Sequence, residues 1–413
     1  MHKSQDPGAT SRANAAASPE VVPSERSLRT RYAIRDVELV AQEAQAAGKK
    51  LLRLNIGDPP AYDFRTPRHI IEATSEAMLA GHTGYAPSTG IEDALRAIRA
   101  ESERQGVRNI QEVFISGGVS EAIDICIAAL INAGENILIP SPGYSLNEAT
   151  VLKLDGEPIT YRCDEQDGWQ PDLDDIARRV NSKTRGIVVI NPGNPTGAVF
   201  RRETLTGILE IAARHGLVIF SDEIYSKLLL DPVEHIPMGS LTEDLPIVTF
   251  NGLSKAYLAP GFRTGWIVVS GPAKSLVRYR EAIAKLMRVR LSTHHPTQFA
   301  IPAALEGSQE HLPGVIAKLR KRRDLTVSLL NSIPKIQCVP PQAAFYAFPR
   351  IDIARPDSEF AMELVRQTGV LVVPGSGFGQ EPGTQHFRMV FLPPEETIQE
   401  ALGLLGDFLQ KWS

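Results

Sequence analysis

Between Glu112 and Ser270 the chain alternates short apolar, β-rich runs with stretches of helical spacing. The runs fall at Glu112–Ser116, Asn136–Pro140, Pro158–Cys163, Gly186–Ile190, Leu217–Ser221, Ile247–Phe250 and Gly265–Ser270. Most are separated by helical patterns such as Ser120–Ile131, Asp172–Val180 and Arg202–His215. Runs that are apolar on both sides of the pleat belong to strands buried on both faces, and the interleaved helices supply the two covering layers. The pattern predicts an α/β domain built on a mostly parallel seven-stranded sheet.

On either side the texture differs. Arg31–Ala47 has helical spacing and ends at Gly48, Leu51–Ile56 alternates as a short strand, and Gly57-Asp58-Pro59-Pro60 stops it. Helical spacing returns over Pro67–Ala80 and 91–104, around the turn-rich Gly84–Gly90. Beyond about Pro296 a long helical segment, Gln309–Leu330, precedes short strands at Phe345–Phe348, Val370–Val373 and His386–Leu392 and a last helix, Glu395–Trp412. These predict a second, smaller α+β domain joined by the segment around Leu51–Gly57. Residues 1–27, rich in Ala, Ser and Pro, read as a disordered tail. The expected division is a tail at 1–27, an arm at 28–65, a large domain at 66–295 and a small domain at 296–413.

Composition narrows the class of function. A chain of 413 residues is long enough for two domains around a large core. A net charge of −4 provides no basic footprint for nucleic acid or an acidic membrane surface. No apolar run approaches the length of a membrane span. Cys126, Cys163 and Cys338 are scattered without metal-ligand spacing and read as buried apolar residues in a reducing, cytoplasmic setting.

The chemistry gathers at strand ends, where open α/β sheets bind ligands. The run Pro246–Phe250 delivers Asn251-Gly252-Leu253-Ser254-Lys255. A lysine held there can act as a nucleophile toward an aldehyde, although most lysines are solvated surface charges. Leu217–Ser221 delivers Asp222, with Tyr225 three residues on. An acid at a buried strand end needs a cation, or it caps the following helix, while Tyr225 alone reads as core. Gly117-Gly118-Val119-Ser120 leads into an apolar helix, which suits a phosphate held on helix amides or a plain glycine turn with a serine cap. Asn191-Pro192-Gly193-Asn194-Pro195-Thr196-Gly197 makes a rigid loop able to aim the Asn194 amide. Arg263 follows a Pro-Gly turn and suits a phosphate, and Tyr144, at another strand end, can stack on a flat ligand. Arg388 on its apolar strand needs an anion, either an internal carboxylate or a substrate's. Gly375-Ser376-Gly377-Phe378-Gly379 mimics a dinucleotide loop, but Pro382 and Gly383 preclude the helix that such a loop requires. One lysine, one buried acid, a phosphate cradle and a carboxylate-seeking arginine form the inventory that a pyridoxal 5'-phosphate (PLP) site needs.

With these motifs, Asn191–Gly197, Ser221-Asp222-Glu223-Ile224-Tyr225 and Ser254-Lys255 followed by Gly261-Phe262-Arg263-Thr264-Gly265, the chain resembles the fold type I PLP-dependent aminotransferases of classes I and II. Tyr32-Ala33-Ile34-Arg35-Asp36, Leu54-Asn55-Ile56-Gly57-Asp58-Pro59 and Trp169–Ile176 make it similar to alanine aminotransferases of the archaeal and bacterial type. The resemblance implies that Lys255 carries the cofactor and then acts as the catalytic base. Asp222 would pair with the ring nitrogen, and Tyr225 and Asn194 with the ring oxygen. Tyr144 would stack on the ring, while Gly118, Val119, Ser120, Ser254 and Arg263 would hold the phosphate. Tyr85 would reach that phosphate from the neighbouring subunit of a homodimer with shared active sites. Arg388, Gly57 and Asn194 would clamp the substrate carboxylate, with Tyr32 and Arg35 closing the site. It also implies transfer of an amino group between a small amino acid, alanine favoured, and a 2-oxo acid such as 2-oxoglutarate or pyruvate.

Ser145-Leu146-Asn147, Ala86-Pro87 and Gln342-Ala343-Ala344 depart from the family pattern on the substrate side. A biosynthetic enzyme on the same body, catalysing elimination, substitution or oxidative deamination, stands as the alternative. A non-catalytic regulator would need a DNA-binding segment that the tail does not provide.

Overall fold

The computed structural model describes residues 21–30 and 33–412, with the backbone alone for 33–36. Residues 1–20 of the expected tail, and the candidate Tyr32, lie outside the described residues. Within the tail's expected bounds a short helix forms at Glu25–Arg29, where Arg26 and Arg29 both pair with Asp155 at 3.2 and 2.8 Å. Those ion pairs give the segment a docking point that its composition does not reveal.

All seven expected strands of the large sheet are present. They are β1 (Ile110–Ser116), β2 (Asn136–Ser141), β3 (Glu157–Asp164), β4 (Thr184–Ile190), β5 (Val218–Asp222), β6 (Ile247–Gly252) and β7 (Gly265–Ser270). Their spatial order is β1-β7-β6-β5-β4-β2-β3, extended by an eighth, two-residue strand at Gln170–Pro171. The pairs among β6, β5, β4, β2 and β3 are parallel, whereas β7 runs antiparallel to both neighbours.

The continuous apolar runs have the predicted cause. Ile187, Val189 and Ile219 pack on one face with Leu205, Ile208 and Leu209 of helix Arg202–His215. Val188, Ile190 and Phe220 pack on the other with Ile123 and Ile127 of helix Val119–Ala128. Each such side chain contributes about 1.5–3 kcal/mol when fully buried. The strand order reverses direction between β2 and β4, so their carboxyl ends flank the switch point where ligands bind in such sheets.

The smaller unit carries a three-stranded antiparallel sheet of β8 (Tyr346–Ala347), β9 (Val373–Pro374) and β10 (Phe387–Val390), with β10 in the middle. Leu52–Arg53 pairs in parallel with Val370–Leu371, and Val390 N–H donates to Leu54 O at 2.8 Å. That seam delivers Asn55–Gly57 beside β10. The sequence border at 296 falls inside helix His295–Gln298, where Pro296 is a favoured first-turn residue and not a break. Ala300, Ile301 and Ala304 then pack with Ile70 and Ala97. Among the described residues no helix is long and apolar enough to cross a membrane.

Candidate active site

Five strand ends of the large sheet and two strands of the small unit converge on a cavity of about 200 Å³. After β1, Gly118 adopts φ +86°, and a Cβ there would lie 2.6 Å from Arg263 Nη2. Only glycine lets the backbone turn this closely under the guanidinium. The amides of Val119 and Ser120 open the next helix and have no acceptor within it. Ser254 and Arg263 line the same end of the cavity. Among the described residues Arg263 donates only to the carbonyls of Gly117 and Pro260, each at 3.3 Å.

Asp222 closes β5 and is 4% exposed. Its Oδ1 accepts the Ile224 N–H at 3.2 Å. Burial pushes its carboxyl up to about 7; Glu223 adds to the rise, while the Ile224 amide and Lys255 oppose it. The acid therefore lacks a full counter-charge. Lys255 stands on the loop after β6, and its Nζ donates to Gly57 O at 3.0 Å. The Asn251 amide ties the β6 end to the β5 end through Glu223 O, also at 3.0 Å. Burial pushes the Tyr225 hydroxyl well above 10, and the adjacent Tyr346, 3.0 Å away oxygen to oxygen, reinforces this.

Arg388, on β10, is 2% exposed. Its Nη1 donates to Asn194 Oδ1 at 3.2 Å and its Nη2 to Asn55 O at 2.8 Å. The guanidinium lies over the rings of Tyr346 and Phe378, 4.6 and 4.5 Å from their centroids. Its Nε is buried without a partner among the described residues. Among the described residues no carboxylate lies within ion-pair distance of Arg388, Lys255 or Arg263. Three cations thus share one cavity with a single, poorly compensated acid.

The cavity brings together Gly57, Val119, Ser120, Tyr144, Asn194, Asp222, Tyr225, Ser254, Lys255, Arg263 and Arg388, and Gly118 lies beside Arg263. It does not include Tyr85, which is 81% exposed. The Arg35 side chain lies outside the description. Sequence reasoning missed Tyr346 because its neighbours on a two-residue strand are also apolar. Rejecting the dinucleotide reading of Gly375–Gly379 assigned no role to Phe378, whose ring the fold sets against Arg388.

Asp222 has a consequence for stability. An acid whose folded value is raised keeps its proton when the unfolded chain has lost it, so stability falls with rising pH between about 4 and 7. Cofactor-free wild-type protein should lose stability across that window relative to Asp222→Asn, measured by urea unfolding. Parallel curves for the two proteins would contradict the assignment.

The α/β unit, its sheet covered by helices on both faces and its switch-point cavity covered by a small α+β unit, defines the type I fold of the PLP-dependent transferases. The chain belongs to the class I and II aminotransferase family, whose model matches residues 49–405. It is 40% identical to the glutamate–pyruvate aminotransferase AlaA of Escherichia coli K12 over 379 residues, 89% of this chain and 93% of that protein. It is 39% identical to an alanine aminotransferase of Mycobacterium tuberculosis H37Rv, covering 89% of this chain and 88% of that one. The solved alanine aminotransferase from Pyrococcus furiosus superposes with a TM-score of 0.91 at 41% identity, covering 94% of this chain and all of that one.

Proposed function

We propose that this enzyme is a PLP-dependent transaminase that takes the amino group of alanine, or a similarly small amino acid, and passes it to 2-oxoglutarate. The observation that carries the reading is the three unpaired cations around one raised acid. A phosphate and a substrate carboxylate are the anions that such a cavity lacks. The residues fit the cofactor: Gly118, Val119, Ser120, Ser254 and Arg263 form a cradle with no room for a Cβ at its floor. Asp222, short of a counter-charge, suits a protonated ring nitrogen, and Tyr225 and Asn194 offer donors to the ring oxygen. When bound, the cofactor supplies an aldehyde for an amine and a ring that stabilises negative charge at the amino acid's α-carbon.

This chain's residues do the rest. Arg388 and Asn194 orient the substrate carboxylate, with the Arg388 fork held by Asn55 O and the ring of Tyr346. Lys255 Nζ, steered by Gly57 O, moves the proton at the α-carbon. The small unit, closing over the cavity, excludes water from that transfer.

The names of the relatives support alanine as donor. The exposure of the Tyr85 ring supports a role across the interface of a homodimer, where it would reach the partner's phosphate. Three buried, unpaired cysteines support a cytoplasmic setting. The test is a half-reaction. Alanine alone should bleach the visible band of the loaded protein, and 2-oxoglutarate should restore it. A band that survives excess alanine, glutamate and other donors would refute the reading.

A further inference from the structure

A carboxylate in the first turn of a helix whose start is to hold a phosphate is out of place electrostatically. Glu121 occupies that position in helix Val119–Ala128. A helix start attracts one anion, but two anions at the same start repel each other. Glu121 is nevertheless built into the cradle, because its Oε2 accepts the Gly117 N–H at 2.6 Å. That bond helps to set the bend that leads into Gly118.

Arg290, far along the chain at the end of helix Ala273–Val289, meets this charge. Its Nε lies 3.2 Å from Glu121 Oε2, and the two side chains are only 17% and 29% exposed. Screening by water and salt is weaker for a pair this enclosed. The same guanidinium donates through Nη2 to Ile115 O, on the strand entering the cradle, at 2.8 Å. It also donates to Ser88 O, in the turn that carries Tyr85, at 3.4 Å. Arg290 is absent from the cavity lining, so it touches neither cofactor nor substrate there.

We propose that Arg290 is a positioning residue for the cofactor phosphate. It cancels the charge of Glu121, so that this carboxylate can hold the Gly117 amide without repelling the phosphate. The same side chain ties the cradle to the Tyr85 turn. The inference rests on the PLP reading given above.

The test measures affinity and not turnover, as equilibrium binding of PLP, and separately of inorganic phosphate, to cofactor-free protein. Arg290→Gln exposes the carboxylate and should weaken both ligands by about tenfold. Arg290→Lys keeps the charge and should stay within about threefold of wild type. Glu121→Gln keeps an acceptor for the Gly117 amide and leaves Arg290 unopposed, so it should bind phosphate at least as tightly as wild type. The double variant R290Q/E121Q should recover to within about threefold of wild type. A merely structural arginine would change stability without changing phosphate affinity in the variants that fold, so urea unfolding is measured beside binding. A double variant as weak as R290Q, or an E121Q weaker than wild type, overturns the proposal, even if R290Q fails to fold. Wild-type protein that binds neither ligand would instead refute the PLP reading itself.

Discussion

Replacing Lys255 by alanine is expected to abolish turnover, by at least about 10³-fold, since the variant loses both the amine that joins the cofactor and the base at the α-carbon. The fold should survive. Lys255 is only part-buried, and among the described residues its side chain bonds only to Gly57 O. The variant should also resist labelling: borohydride treatment of loaded wild-type protein should leave a pyridoxyl group on the peptide containing residue 255, and none in Lys255→Ala. A variant retaining a tenth of wild-type turnover, or a wild-type peptide without the adduct, would remove the basis of the proposed mechanism.

The second large effect has opposite signs in binding and stability. Arg388 is buried with its Nε unpartnered and without a carboxylate. Converting it to methionine should raise KM for donors and acceptors alike by about 10²–10³-fold, or about 3–4 kcal/mol, the cost of losing a charged fork against a carboxylate. The same change should raise the stability of the cofactor-free protein by about 1–2 kcal/mol, because it removes a desolvated charge with incomplete compensation. Cofactor affinity should change far less than KM, since the phosphate cradle is built from other residues and Arg388 reaches the cofactor's surroundings only through Asn194. Arg388→Lys keeps the charge without the fork and should recover little of the lost affinity. If Arg388→Met lowers stability and leaves KM unchanged, Arg388 is a structural residue and the substrate carboxylate binds elsewhere.

The central strands of the large sheet were legible because they are buried on both faces, so their runs stand out without any knowledge of pairing. The residues at their ends were legible for a related reason. Lys255, Asp222, Asn194 and Gly118 each follow an apolar run within a few residues, and such sheets collect ligands at those ends. Tyr346 was not legible, because which way it faces depends on its pairing with Val390. Pro296 looks like a break in sequence but opens a helix in the fold.

The sequence by itself determined the class of fold, the parts of the site and their order along the chain. These depend on short-range facts, namely the period of apolar residues and the few side chains that follow each run. The tertiary structure alone decided which charges go unanswered. Arg388 is left without an acid and Asp222 without a full counter-charge, while Glu121 finds Arg290. Compensation of charge is a property of distances across the folded chain and of the water excluded from between them, and neither is encoded in any local pattern.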